Sequence, residues 1–257
     1  MVRINLVTGH KGNTGKSAWS TAILEYYRAH KHPLIGIDAD PDNQTLRKCY
    51  PDMLLLALSD DPELASQPDL IFELAYVEKQ KGKKGADILV DLPAASEGHI
   101  NRWLKECGLI SIAKESGITF CKWWVCDADA QSIELFQLSV RENKGMDHVF
   151  LKNMGRSRSH HWHNFDSDDE IQKLIADRKI PVIEIPAVDS SVLSRVRSAG
   201  LQLGEVVEDK KLKKVDLSTH MRIRGWLERC SNVLAGVLTL DTAAITSRKK
   251  AEAKVES

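Results

Sequence analysis

Six short apolar runs, separated by longer stretches with helical spacing, set the pattern of this 257-residue chain. They are Arg3–Thr8, Leu34–Ile37, Ile88–Val90, Phe120–Cys126, Val149–Lys152 and Val182–Ile185. The first hardly alternates between apolar and polar residues, so it reads as a strand covered on both faces, which belongs in a parallel sheet. Parallel strands need crossovers, and the intervening stretches supply them. Ser17–His30 has helical spacing through Ala18, Ala22, Ile23 and Tyr26. Gln131–Glu142 and Asp169–Lys179 read as helices, with Asp129 and Ser167 as their caps. Met221–Val237 carries an apolar stripe through Ile223, Trp226, Leu227, Cys230, Val233, Leu234 and Val237. The expected fold is α/β and doubly wound: a mostly parallel sheet with helices on both faces, in three layers. Residues 1–240 form that one domain, and 241–257 read as a polar, flexible C-terminal tail.

Composition acts by exclusion. Lys+Arg 36 against Asp+Glu 36 gives no net charge, so a whole-molecule attraction to nucleic acid is excluded while a local patch is not. The chain has no apolar run of membrane-spanning length, and the N-terminal apolar stretch is too short for a secretion signal. Five scattered cysteines, with Cys121 and Cys126 too far apart for a zinc ribbon, read as free thiols of a reducing cytoplasm.

Chemistry enters at Gly9-His10-Lys11-Gly12-Asn13-Thr14-Gly15-Lys16-Ser17, between the first strand and the first helix. Glycines let backbone amides approach a polyphosphate, and the helix start presents its positive dipole end. Lys16 is placed to reach the outer phosphates and the Ser17 hydroxyl to coordinate Mg²⁺. The common pattern G-x-x-x-x-G-K-[ST] is broken, because His10 stands at its first glycine. Two acidic residues, Asp38 and Asp40, follow at the end of the second run, where ligands sit in an open α/β sheet. Their i, i+2 spacing places both carboxylates on the same side of the strand tip. The third run ends on Asp91-Leu92-Pro93, so Asp91 is a water-mediated Mg²⁺ holder.

The Lys-Gly-x-x-Gly-Lys-Ser loop, with Lys11 five residues before Lys16, resembles the deviant Walker A loop of the ParA/MinD ATPases, a P-loop NTPase family with a Rossmann-like fold. Asp38-Ala39-Asp40-Pro41 is similar to that family's Asp-x-Asp-Pro segment, and Asp91 to its Walker B aspartate. The family's loop has two adjacent glycines where this chain has Gly12 and Asn13; asparagine tolerates left-handed backbone, so the loop can keep its shape. The resemblance implies a cytoplasmic, in some members nucleoid-associated, ATPase that binds Mg-ATP and forms a homodimer with ATP between the subunits. Slow hydrolysis then serves as a switch for plasmid partition or cargo positioning, stimulated by a protein partner. It further implies that Lys11 reaches the partner subunit's nucleotide and that Gly12, Asn13, Thr14, Gly15, Lys16, Ser17 and Ala18 cradle the phosphates. Asp40 orients the attacking water, Ser17, Asp38 and Asp91 form the metal shell, and Asn153 contacts adenine, with Pro186 beside the base.

Other features compete for attention. Lys210, Lys211, Lys213, Lys214, Arg222 and Arg224 form a basic cluster that reads as a solvated face, with non-specific DNA binding as the alternative. The adjacent imidazoles of His160-His161-Trp162-His163 point apart, so a solvent loop is favoured over a metal site. Trp123-Trp124 reads as core. The stretch from Leu234 to Thr246 lacks a basic amphipathic helix, so membrane binding is not expected. The first strand begins at residue 3, so no helix-turn-helix domain is expected ahead of it. Two rival functions stay open: an ATP-dependent small-molecule ligase on the same scaffold, and a non-hydrolysing nucleotide-binding adaptor. A metal-cluster carrier would need a Cys-x-x-Cys pair, which the sequence lacks.

Overall fold

The protein is described here by a computed structural model that covers residues 1–240 apart from 42, 60, 62, 65 and 239. Seven strands among these residues pair in parallel: β1 (Val2–Thr8), β2 (Leu34–Asp38), β3 (Leu54–Leu55), β4 (Asp87–Asp91), β5 (Ile118–Cys126), β6 (Asp147–Asn153) and β7 (Val182–Ile185). Their order in the sheet is β3-β2-β4-β1-β5-β6-β7. The chain winds to one side of β1 and then, from β5 onward, to the other. That reversal opens a crevice at the carboxyl ends of the central strands, where a ligand can enter.

Helices cover both faces: α1 (Lys16–Ala29), α2 (Asp69–Gln80), α3 (Glu97–Glu106), α4 (Leu109–Ser116), α5 (Ala130–Glu142), α6 (His163–Asp166), α7 (Asp169–Arg178), α8 (Ser190–Ser198), α9 (Leu203–Glu208) and α10 (Leu217–Ala235). The two-residue period of a strand decides which helix each side chain meets. Val7, Trp123, Val125 and Leu151 share a core with Trp19 and Ile23 of α1, Val196 of α8, and Ile223 and Trp226 of α10. Their neighbours Leu6, Val90 and Phe120 pack on the other face with Ile71 of α2 and Ile100 and Trp103 of α3. Trp124 and Phe150 join Phe136 of α5 and Phe165 of α6 there. Trp123 and Trp124 are thus both fully buried, on opposite faces.

Several strand positions break the apolar rule, Lys122 among them. Lys122 of β5 is wholly buried and donates to Glu97 of α3, to Asn101 Oδ1 at 3.0 Å and to Ser139 Oγ of α5 at 3.1 Å. A buried ammonium is tolerated only with such partners. The network ties two helices to the central sheet.

Several elements differ from the sequence expectation. The strand β3 and helices α2, α3, α4, α6, α8 and α9 go beyond the elements that periodicity predicts; β3 has only two residues, and α2 leaves Tyr76 and Val77 half exposed, which blurs its apolar stripe. Asp129 caps α5 as expected, accepting from Gln131 N at 3.1 Å. Ser167 does not cap α7: its hydroxyl turns back to the His163 carbonyl, and Asp168 accepts from Glu170 N at 2.9 Å and Ile171 N at 3.1 Å. A carboxylate accepts two amides more readily than a hydroxyl that is already satisfied. α10 begins one turn earlier than its apolar stripe, because Asp216 accepts from Thr219 N at 2.9 Å. No helix among the described residues is long and apolar enough to cross a membrane. The expected tail over 241–257 lies outside the described residues.

Candidate functional site

The loop between β1 and α1 is shaped by close approaches. A side chain at Gly9 would put its Cβ 2.4 Å from the Val125 carbonyl oxygen, so only glycine lets the chain leave between β1 and β5. Gly15 holds φ at 102°, and a Cβ there would lie 2.6 Å from Asn153 Nδ2. Asn13, where the resembling family has glycine, adopts a left-handed φ of 58°. Its carbonyl accepts two hydrogen bonds from Arg156, from Nε at 2.9 Å and Nη2 at 2.6 Å. The asparagine keeps a glycine-like backbone, and Arg156 holds it there.

Lys16 opens α1 and is almost fully buried, with its ammonium donating to the Lys11 carbonyl at 2.9 Å. Burial holds this lysine below its ordinary range, against the opposing pull of Asp91 and Asp40. The Lys11 carbonyl also accepts from Thr14 Oγ1 at 3.2 Å. The Lys11 side chain points elsewhere, pairing with Asp129 Oδ2 at 3.0 Å.

The two acidic residues after β2 part company. β2 ends at Asp38, so the alternation that would align Asp38 with Asp40 stops between them. Asp38 is fully buried beneath the following loop; its Oδ2 accepts from Leu46 N at 3.0 Å and Arg47 N at 3.1 Å, and its Oδ1 from Asp40 N at 3.2 Å. This carboxylate shapes the loop that carries Asp40. Asp40 lines the cavity and binds Asn43, through the backbone N at 3.1 Å and through Nδ2.

Asp91 ends β4 directly opposite Asp38 in the pairing register. It accepts from Ser20 Oγ at 2.6 Å and interacts with the Ser17 hydroxyl. Burial, aided by the Asp38 charge, pushes its carboxyl up to about 6, although Ser20, Ser17 and Lys16 oppose the rise. Ser20 was missed in the sequence; its spacing of three from Ser17 on one helix was the available signal.

Lys16, Ser17, Asp40 and Asp91 meet in one open cavity of about 750 Å³ at the carboxyl ends of the strands, whereas Lys11, Thr14 and Asp38 are not in its lining. Gly12, Asn13, Gly15, Lys16, Ser17 and Ala18 form its floor, and Asp40 and Asp91 one flank. Asn153, Arg156, Pro186 and Trp226 form another flank, and Arg197 of α8 is also in the lining. Asn153 donates from Nδ2 to the Thr14 carbonyl and accepts from Gly155 N at 2.9 Å on Oδ1, so in this structure its amide braces the loop. Arg156, Arg197 and Trp226 carry no motif signature and are joined to the site only by the fold. A second cavity, of about 390 Å³, opens at the other end of the sheet beside Arg3, His148 and Lys179, and none of the motif residues lines it.

The donor set suits a hard cation. Ser17, Asp40 and Asp91 offer oxygens only, and magnesium takes one or two carboxylates, keeps waters and completes its shell with substrate phosphate. Among the described residues no three His, Cys, Asp or Glu side chains converge to hold a metal alone.

The basic cluster is rearranged. Lys210, Lys211, Lys213 and Lys214 lie in the turn between α9 and α10, not on a helix, with Leu212 at a left-handed φ of 50°. Lys214 pairs with Glu205 at 2.9 Å and Arg222 with Asp189 at 3.9 Å.

No protein-family model matches the chain, and no curated protein matches it. Several solved structures are similar in fold. One is a nucleotide-binding protein in complex with ADP from Archaeoglobus fulgidus, with 18% identity and a TM-score of 0.42, covering 77% of this chain and 86% of that one. Another is the septum site-determining protein MinD complexed with Mg-ADP from Pyrococcus horikoshii, with 16% identity and a TM-score of 0.46, covering 93% and 100%. A third is the MinD cell division protein of Aquifex aeolicus, with 15% identity and a TM-score of 0.46, covering 93% and 99%. At such identities and scores the case for function rests on this chain's own residues.

Proposed function

We propose that this chain is a Mg²⁺-dependent ATPase of the ParA/MinD kind, which dimerises around two ATP molecules and resets by slow hydrolysis. The observation that supports this most is the meeting of Lys16, Ser17, Asp40 and Asp91, from three separate segments, on one cavity at the carboxyl ends of the central strands. A volume of about 750 Å³ is within the usual size of a ligand pocket.

On this reading the Lys16 ammonium leaves the Lys11 carbonyl and takes the outer phosphates of ATP, exchanging one oxygen acceptor for a charged one. Loop amides from Gly12 to Ala18 hold the remaining phosphate oxygens. When bound, Mg²⁺ would supply positive charge to the phosphates. Ser17 and Asp91 hold its shell, and Asp38 keeps the loop that presents Asp40. Asp40 accepts a hydrogen bond from the attacking water and aims it in line. Lys11 leaves the solvent-exposed Asp129 and reaches the nucleotide of the second subunit; an exposed ion pair is cheap to exchange. The output is a surface present only in the ATP state, serving partition of a plasmid or positioning of another cargo, with a protein partner that speeds hydrolysis.

Size-exclusion chromatography with light scattering tests the reading. Wild type is expected as a monomer with ADP and a dimer with a slowly hydrolysed ATP analogue, and Lys11→Ala as a monomer in both. A wild type that stays monomeric with the analogue, or a Lys11→Ala variant that dimerises as well as wild type, rejects the switch. Dimer-independent phosphate transfer to a small acceptor would favour the ligase instead.

A further inference from the structure

Two cations in the cavity lie outside the motifs, Arg156 and Arg197, and Arg156 is already engaged by the Asn13 carbonyl. Arg197 lies two turns into α8, a helix capped by Asp189, which accepts from Ser191 N at 2.8 Å. Val192, Leu193 and Val196 anchor that helix in the core shared with α10. Leu193 and Arg197, one turn apart, both line the cavity that holds Lys16, Ser17 and Asp91. They also line the narrow gap beside Thr21, Thr45, Cys49 and Tyr50.

The guanidinium is half-buried, and among the described residues it makes no hydrogen bond and no ion pair. The more exposed arginines of this region behave otherwise: Arg195 pairs with Asp216 at 3.4 Å and Arg222 with Asp189 at 3.9 Å. Burial pulls the Arg197 group below its ordinary range, and the acidic groups near enough to oppose that are Cys49, Asp91 and Tyr50. Burial raises Cys49 and Tyr50 themselves, so both are neutral at ordinary pH. Of these three, Asp91 is the charged one, and it is already engaged by Ser20 and Ser17. A guanidinium taken out of water without an acceptor is costly, and buried charges are normally paired. Its planar fork of donors matches the oxygens of a phosphate.

We propose that Arg197 is a phosphate-binding residue, supplying from α8 and within the same subunit a second cation to the phosphate chain of the nucleotide bound over Lys16. The assignment rests on the nucleotide-binding reading above. It differs from the role given to Lys11, because Arg197 belongs to the cavity of its own chain and acts without a dimer.

The test measures MgADP and a Mg-bound, slowly hydrolysed ATP analogue against wild type, Arg197→Met, Arg197→Lys and Lys16→Ala, by titration and by thermal melting with and without nucleotide. Arg197→Met is expected to melt at or above the wild-type temperature without ligand, since it keeps the apolar stem and removes an unpaired charge. Its affinity is expected to fall about ten- to hundredfold, the loss typical of a charge-assisted contact, with a smaller nucleotide-induced rise in melting temperature. Arg197→Lys should recover part of the affinity. If wild type binds and Lys16→Ala does not, yet Arg197→Met binds like wild type, the role of Arg197 is overturned while the cavity keeps its function. A fall in ligand-free melting temperature with unchanged affinity would make Arg197 structural and overturn the proposal too. A wild type that binds neither nucleotide overturns both.

Discussion

The Lys11 ammonium lies 3.0 Å from Asp129 Oδ2, and the same aspartate caps α5 by accepting from Gln131 N. One carboxylate therefore holds the extra lysine of the loop away from the cavity and fixes the helix that follows β5. The pair is exposed on both sides, so solvent screens it and Lys11 is free to exchange partners.

Asp129→Asn separates those two tasks, because asparagine caps a helix as well as aspartate does but carries no charge to form an ion pair with a lysine. Thermal stability is expected to stay within about 0.5 kcal/mol of wild type, as for most surface changes. Dimerisation with the ATP analogue is expected to persist or occur at lower protein concentration, since Lys11 starts unpaired. A weaker dimer, seen by light scattering over a concentration series, would show that the pair assists assembly.

At the loop, backbone geometry predicts opposite outcomes for two neighbours. Gly9→Ala drives a methyl group into the Val125 carbonyl and is expected to cost about 1–3 kcal/mol in urea unfolding. Asn13→Gly should be close to neutral and retain nucleotide binding. Asn13→Val, forced to hold a φ of 58°, should lose about 1–2 kcal/mol and bind nucleotide more weakly. Equal effects of the glycine and valine substitutions would mean that the left-handed conformation is not required.

The buried Lys122 network predicts strong coupling between β5 and α3. Glu97→Leu leaves the ammonium without its carboxylate and is expected to destabilise by about 3–5 kcal/mol. Adding Lys122→Met to it should restore most of that loss, because a matched apolar pair often replaces a buried ion pair at no net cost. The check is a double-mutant cycle by chemical denaturation; additive losses would refute the coupling.

His148 predicts acid sensitivity. It is buried in β6, with Nδ1 bonded to the Met146 carbonyl at 3.1 Å, and burial followed by the Lys122 charge lowers it from 6.5 to about 4. The folded value lies below the unfolded one, so this stability is complete above pH 6.5 and is lost as pH falls through 6.5 toward 4. Across that window the loss attributable to this group is about 3 kcal/mol. His148→Asn, which keeps an amide donor but does not titrate, should melt with a flatter profile between pH 7 and pH 4 than wild type. Parallel profiles for the two proteins would assign the acid loss to other groups.

Much of this architecture can be read from residue order. The six apolar runs all became strands of the parallel sheet, and the spacing of Lys16, Ser17, Asp40 and Asp91 along the chain matched their meeting at one cavity. That is legible because buried strands are written as contiguous apolar runs, and ligands lie where such strands end. Asn13 in a left-handed conformation was legible for the same local reason: it depends on the residue's own backbone preferences.

Other features depended on neighbours distant in sequence. Asp38 and Asp40 look equivalent in the chain, but the strand ends between them and the following loop folds its amides over Asp38, leaving Asp40 at the cavity wall. Ser167 reads as the cap of α7, but its hydroxyl already has the His163 carbonyl as a partner and Asp168 takes the role.

The sequence by itself determined the type of fold, the glycine- and lysine-bearing loop after the first strand and the acidic strand ends, because these follow from periodicity and from chemistry within a few residues. Only the tertiary structure decided that Lys11 rests on Asp129, that Asn153 braces Thr14 and that Arg197 enters the cavity from α8. Each joins segments 100 or more residues apart. Such contacts are set by how helices pack on the sheet, and no local pattern encodes them.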